Sequence, residues 1–427
     1  MLVTLTQGKH LLIHGPASFT IQKGVVEILK ALIHQSSKGF LVPKGRVLAL
    51  KAIEDCLITV NIGEGGKVEE REKAFPEQWD QVIDELSRQK GTVVVIGDVD
   101  SGKTTFCTML LNSALRKGLR AAFINEDPGQ ADILIPTTIG ATILESPTIY
   151  LSQLKPIASF FIGKTTPTGV ADRVILGLAK LRSEVIDEAD LIVVNTSGWI
   201  KGEKAKELKL ATVAVLEADR IVFLKKDSEL NHILRGLQKS YHDDRKVYTI
   251  KALEGAKIRS REERRFLRES SYNKYFSEAK KRILNLDDLD ISYGMLGSGQ
   301  RLDEKDLATI SMLLNSNVVY AEENYDSLLI VISKDSKLNK DAISNVRNAF
   351  GKSTVKVVKE GDERGLLIGL LSRGKLQGVG VLRKIDYVNR KIEIITPYEG
   401  EVTAIEFGCL RLNDEFKEVK QYVHVPI

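Results

Sequence analysis

A lysine and a threonine that close a glycine-bounded octet are suited to holding phosphate groups. Residues 97–104 read Gly97-Asp98-Val99-Asp100-Ser101-Gly102-Lys103-Thr104, a complete G-x-x-x-x-G-K-[ST] phosphate-binding loop, with Thr105 directly behind it. The glycines let backbone N–H groups curl round phosphate oxygens, Lys103 reaches the β and γ oxygens, and the Thr104 hydroxyl ligates Mg²⁺. Such a loop needs a strand before it and a helix behind it. Gly91 to Ile96 is a short β-branched run, and Lys103 to Lys117 carries Phe106, Leu110, Leu111, Ala114 and Leu115 at helical spacing before stopping at Gly118. The chain is therefore expected to bind ATP or another nucleoside triphosphate, with Mg²⁺, through Gly97 to Thr105.

Two more clusters lie at the ends of predicted strands. Ala121 to Ile124 runs into Asn125-Glu126-Asp127-Pro128-Gly129-Gln130. Asp-Pro-Gly is turn chemistry, yet Glu126 and Asp127 beside a triphosphate are also carboxylates able to bind Mg²⁺ or take the proton of an attacking hydroxyl. Leu191 to Val194 runs into Asn195-Thr196-Ser197-Gly198-Trp199-Ile200-Lys201-Gly202, where one of the two tryptophans sits among small polar residues. Trp199 is either a packing residue or a platform for a nucleobase or ribose. A fourth strand, Arg220 to Leu224, ends in Leu224-Lys225-Lys226-Asp227, which has the lysine and aspartate of the guanine-reading Asn-Lys-x-Asp motif but not its asparagine.

The elements that must position these residues fall into three textures. Residues 1–72 read as short strands broken by Gly-Pro and Lys-Gly turns, an N-terminal all-β domain. At its end, Gly63 to Ala74 is charged and poor in apolar residues, a linker by composition. Residues 73–285 open with a helix at Pro76 carrying Trp79, Val82, Ile83 and Leu86 and then alternate strand with helix, notably Val170 to Ile186. The expected class is α/β, a P-loop NTPase with a doubly wound, mainly parallel sheet whose ligands gather at the strands' carboxyl ends. Residues 286–427 return to β-rich runs, with one helix expected near Lys340 to Phe350, as a C-terminal β-rich domain.

Composition limits the function classes. The 427 residues are 43% hydrophobic and 28% charged, and no apolar run approaches the roughly 20 residues of a membrane span, so no membrane role is expected. The N-terminus alternates like a strand and lacks the plan of a signal peptide, and Cys56, Cys107 and Cys409 form no C-x-x-C pair, which fits reduced thiols and a cytoplasmic setting. The net charge of +5 is localised: Lys251 to Arg282 holds eleven Lys or Arg against five Glu, a segment that either makes a solvated helix or faces phosphate groups.

The phosphate loop, Asp127-Pro128-Gly129-Gln130, Pro136-Thr137-Thr138-Ile139-Gly140, Thr196-Ser197-Gly198-Trp199 and Arg259-Ser260-Arg261-Glu262-Glu263-Arg264, in that order and spacing, resemble the polynucleotide 5'-hydroxyl kinase family, which has archaeal and eukaryotic RNA-processing members. The resemblance implies catalytic roles for Lys103, Asp127 as general base, and Arg259 and Arg264 as lid arginines within residues 251–282. It implies that Thr104 binds the metal and that Gln130 and Trp199 hold the acceptor, a 5'-hydroxyl end of RNA or DNA, with RNA-processing proteins as partners. Many members carry a second aspartate two residues before the base, where this chain has Asn125. The lid reading turns the arginines toward phosphate and leaves Glu262, Glu263 and Glu269 on the solvent side. Two other readings stand beside the kinase: a non-catalytic ATP-binding scaffold, and a regulatory P-loop NTPase that uses water as acceptor.

Overall fold

A computed structural model describes residues 1–130, 133–240, 245–253, 259–339 and 341–427. Residues 254–258 of the basic segment, and Lys340 at the start of the expected C-terminal helix, lie outside these.

The N-terminal part is two antiparallel sheets packed face to face. One has the order Leu2–Leu5, Cys56–Ile62, Ala17–Lys23, Ser36–Val42; the other runs Ala31–Ile33, Val26–Ile28, Val47–Ala52, His10–His14, Lys67–Arg71. Alternate residues such as Leu11, Ile13, Phe19, Ile21, Ile58 and Val60 point into one core between them. The expected linker is corrected here, because Lys67–Arg71 is a full strand antiparallel to His10–His14. Its composition misleads because it is an edge strand. Only Val68 packs on the core, and charged flanks suit an edge that must not recruit another chain.

The central sheet has seven strands in the order Ala158–Phe161, Thr138–Leu144, Ala121–Asn125, Leu191–Asn195, Gly91–Gly97, Arg220–Lys225, Lys246–Lys251. Five are parallel, and Thr138–Leu144 and Ala158–Phe161 continue the sheet antiparallel at one edge. The Pro136 to Gly140 motif is thus the entry to an edge hairpin. Helices cover both faces: Glu77–Leu86 and Lys103–Arg116 on one, Ala171–Val185, Glu203–Val215 and Asn231–Ser240 on the other. The loop strand Gly91–Gly97 lies between Leu191–Asn195 and Arg220–Lys225, so the carboxyl ends of four expected strands meet round the phosphate loop.

The C-terminal part is more than strands. A seven-stranded sheet includes Leu366–Ser372, Lys375–Asp386, Lys391–Thr396 and Ala404–Leu412, with Glu418–Gln421 paired to the last. A separate four-stranded sheet is backed by two α-helices, Glu304–Leu314 and Ile343–Phe350, where one had been expected. The missed helix has a legible start, since Asp303 caps it by accepting from the Asp306 N–H, and Leu307, Ile310 and Leu314 follow at helical spacing. The basic segment also divides: Arg261–Tyr275 is a helix, whereas Lys280–Asn285 is a strand of the C-terminal sheet, antiparallel to Lys391–Thr396. No helix among the described residues is long and apolar enough to cross a membrane.

Trp79 ties the lead-in helix to the phosphate loop. It is fully buried, lies edge-on to Phe106, and its indole N–H donates to the Lys251 carbonyl at 2.7 Å. Trp79→Ala is expected to cost about 3–5 kcal/mol of unfolding free energy, read as a lower denaturant midpoint, with weakened nucleotide binding because the loop loses its floor.

Candidate active site

The loop is shaped by close packing. Gly102 has φ +93°, and a Cβ there would meet the Trp79 ring at 2.9 Å and Leu253 at 3.0 Å, so glycine is required both for its backbone and for space. Asp100 is a non-glycine residue at φ +56°. Lys103 is folded back on its own loop, donating to the Gly97 carbonyl at 3.0 Å and the Asp98 carbonyl at 2.7 Å. Burial pulls its ammonium down to about 8 while Asp127 and Asp98 oppose the shift.

Behind the loop, an amide relay joins three strand ends. Asn125 donates to the Asp127 and Gln130 carbonyls, both at 3.2 Å, which fixes its amide orientation and turns Oδ1 toward Asn195. The Asn195 Nδ2 then donates to Asn125 Oδ1 at 3.1 Å and to Thr104 Oγ1 at 3.3 Å. Its own Oδ1 is buried with no hydrogen-bond partner, a group left over for something not made of protein. Among the described residues no three His, Cys, Asp or Glu form a metal cluster. The Thr104 hydroxyl, bonded by Asn195, is an oxygen ligand of the kind Mg²⁺ takes alongside waters and phosphate oxygens.

The two neighbouring acids have opposite fates. Asp127 lines a cavity of about 280 Å³ with Lys103, Thr104, Gln130 and Arg259, and its Oδ1 accepts from the Gly129 N–H at 2.9 Å. Glu126, expected beside the triphosphate as well, points the other way: it is fully buried against Lys209, Nζ to Oε2 at 2.9 Å, with both side chains at 0% exposure. It also accepts from the Ser197 N–H at 2.6 Å, and Lys209 donates to the Ser197 hydroxyl at 2.9 Å. Burial pushes the Glu126 carboxyl up, and Lys209 counters it. This pair ties the residue before Asp127 to the residue before Gly198-Trp199.

Trp199 is half-buried, one side packed on the central core, and lines a second cavity of about 350 Å³ with Asp98, Asp100 and Arg264. Gly198 presses that segment onto the loop tip, since a Cβ would meet Val99 at 2.5 Å. Packing residue and cavity wall are both true of this tryptophan.

The arginines of the Arg259 to Arg264 motif come to the phosphate loop. Arg264 Nη1 lies 3.2 Å from Asp100 Oδ2, Arg259 Nη1 lies 3.8 Å from Oδ1, and the Arg259 backbone N–H donates to Oδ2 at 3.0 Å. Arg259 also donates to Gln130 at 3.4 Å. The helix that follows is started by a capping box of Ser260 with Glu263. Its Arg265 and Arg268 are engaged elsewhere, which corrects the expectation that the segment's arginines all turn to phosphate. Arg268 makes a two-pronged ion pair with Glu418 at 2.6 and 2.8 Å, and Arg265 bonds Glu269 at 2.8 Å. Glu269 is no solvent-side residue either: it accepts from the Glu418 N–H at 3.0 Å.

The wall opposite the loop comes from the N-terminal sandwich, where Leu12, His14, Arg46, Leu48 and Arg71 line the same cavity. None of these was marked by sequence. Arg71 sits in the strand misread as a linker, and no local pattern announces a contact made across the fold.

Two outcomes follow from these geometries. Glu126→Gln leaves Lys209 buried without a countercharge and is expected to destabilise the fold by about 3–5 kcal/mol, measured by denaturant unfolding. With burial holding the Lys103 ammonium down to about 8, a triphosphate binding there at higher pH should draw in a proton. Its affinity should fall by up to about tenfold per pH unit above 8, and calorimetry at pH 8.5 in two buffers should show proton uptake.

Residues 97–278 match the family model described as the mRNA cleavage and polyadenylation factor CLP1 P-loop. The polyribonucleotide 5'-hydroxyl-kinase of Methanocaldococcus jannaschii is 30% identical over 332 residues, covering 77% of this chain and 88% of that protein. That of Pyrococcus abyssi is 30% identical over 338 residues, covering 78% and 91%. A solved structure of a wild-type Clp1p–Pcf11p complex superimposes with a TM-score of 0.64 at 14% identity, over 96% of this chain and 97% of that one, a likeness of fold. On this identity and coverage, the chain belongs to the family of Clp1-type polyribonucleotide 5'-hydroxyl-kinases.

Proposed function

We propose that the chain transfers the γ-phosphate of ATP, or another nucleoside triphosphate, to the 5'-hydroxyl of RNA. The observation that carries this reading is convergence: Lys103, Asp127 and Arg259 line one cavity, and Arg264, held on the same Asp100 as Arg259, lines the adjoining one with Trp199. The two cavities adjoin at the loop tip, with Asp127 and Gln130 on the wall of the first and Trp199 on the wall of the second.

Asp127 orients the 5'-hydroxyl and takes its proton as the new oxygen–phosphorus bond forms. The bond from Pγ to the bridging oxygen breaks, and a nucleoside diphosphate leaves. Lys103 swings from the loop carbonyls to the β and γ oxygens. Arg259 and Arg264 exchange Asp100 for phosphate oxygens, where charge spreads in the transition state. The loop backbone from Gly97 to Thr105 cradles the phosphates. Thr104, set by Asn195, would hold Mg²⁺, which would supply charge neutralisation when bound. Gln130 and Trp199 receive the end of the acceptor, and the N-terminal residues facing the loop enclose the donor base. DNA as a second acceptor, and RNA-processing proteins as partners, belong to the same reading; a solved structure of this fold is itself a two-protein complex. A scaffold that only stores ATP is less favoured, because base, lysine and arginines all face the loop.

Incubation with γ-labelled triphosphate and a 5'-hydroxyl oligoribonucleotide should label the oligonucleotide. Asp127→Asn should lower that rate by about 10²–10⁴ while leaving nucleotide affinity within a few-fold. Bound nucleotide with no label transferred by the unaltered protein would overturn the reading.

A further inference from the structure

The cavity beside Trp199 has two cations that the transfer step does not use. Lys201 follows the strand Leu191–Asn195 and Lys226 follows Arg220–Lys225, the two strands that flank the loop strand on either side. Both lysines line the cavity with Trp199 and Arg264 and both are exposed. Neighbouring lysines are engaged: Lys209 with Glu126, Lys204 with Glu207, Lys206 with Glu203, and Lys225 with the Asn231 side chain at 2.7 Å. Lys201 and Lys226 have no carboxylate partner among the described residues. Of the acids in the same wall, Asp100 is paired with Arg259 and Arg264, and Asp98 accepts from the Val99 N–H at 2.7 Å. What remains is an aromatic side chain and two ammonium groups without carboxylate partners lining one cavity that also reaches the loop tip at Asp98 to Asp100.

We propose that this cavity binds the acceptor strand beyond its terminal nucleotide, with Lys201 and Lys226 taking internucleotide phosphates while a base lies against Trp199. This rests on the RNA kinase reading above. An aromatic platform with cations along a groove is how single-stranded nucleic acid is held without base-specific contacts. An acidic peptide would use the lysines but not the aromatic face or the opening toward the loop.

The test uses the full chain carrying Lys201→Ala and Lys226→Ala together. Both residues are exposed, so the fold should tolerate the change. Binding of 5'-hydroxyl oligoribonucleotides of two and six nucleotides is measured by fluorescence anisotropy across a salt series, and transfer kinetics are measured in parallel. At about 0.7 per contacted phosphate, the double variant should reduce the slope of log affinity against log salt by about 1.4 for the hexamer. Its KM for the hexamer should rise toward that for the dinucleotide, with the KM for triphosphate and kcat at saturating acceptor unchanged. An unchanged slope and unchanged length preference in a protein that transfers phosphate would overturn the proposal. So would lysine-dependent binding of a poly-glutamate peptide with lysine-independent binding of the oligonucleotide. Failure of the unaltered protein to phosphorylate any acceptor would instead sink the kinase reading, a distinct result.

Discussion

An aspartate inside a phosphate-binding loop puts negative charge close to where triphosphate oxygens must come, and Asp100 is tolerable there because Arg259 and Arg264 lie on it. Its side chain is 8% exposed and its backbone is left-handed at φ +56°, a conformation that costs of order 1 kcal/mol outside glycine. The carboxylate and the arginines neutralise one another. A triphosphate offers the arginines a stronger, multiply charged partner in the same place. Lys103 behaves in parallel, held by two loop carbonyls until phosphate gives it a better acceptor. On the proposed reading, the cations of the site are stored on the loop, close to where they would act.

The storage works because the surroundings are fixed. The helix bearing Arg264 is held on the C-terminal sheet by Tyr272, Phe276 and the Arg268–Glu418 pair, so the exchange of partners asks for side-chain movement with the helix kept in its seat. On the other side, the buried Glu126–Lys209 pair sets Asp127 and Trp199 relative to each other. Breaking such a pair is far more damaging than its net contribution suggests, because one charge is left in a dry interior. A buried salt bridge in this position serves geometry more than stability.

The chemistry-bearing octet, its strand and helix, and four of the five parallel strands were legible because each is a local pattern. Asp127 and Trp199 could be picked out because both follow strands whose ends must meet. The direction of Glu126 was not legible, since two adjacent acids look alike until alternation along the strand end sends one inward and one outward. The edge strand Lys67–Arg71 was hidden by its own charge. The basic segment read as one unit because composition cannot see that a helix stops at Tyr275 and a strand of another sheet begins at Lys280. The contribution of the N-terminal sandwich was invisible for a different reason: His14 and Arg71 reach the cavity through tertiary packing alone.

The central claim is that Arg259 and Arg264 leave Asp100 for the transferring phosphate. A crystal structure with Mg²⁺ and a non-hydrolysable triphosphate tests it most directly. The account predicts guanidinium nitrogens within hydrogen-bond distance of the β or γ oxygens and an Asp100 carboxylate released from both. Phosphates fully bound in the loop with both arginines still on Asp100 would contradict it.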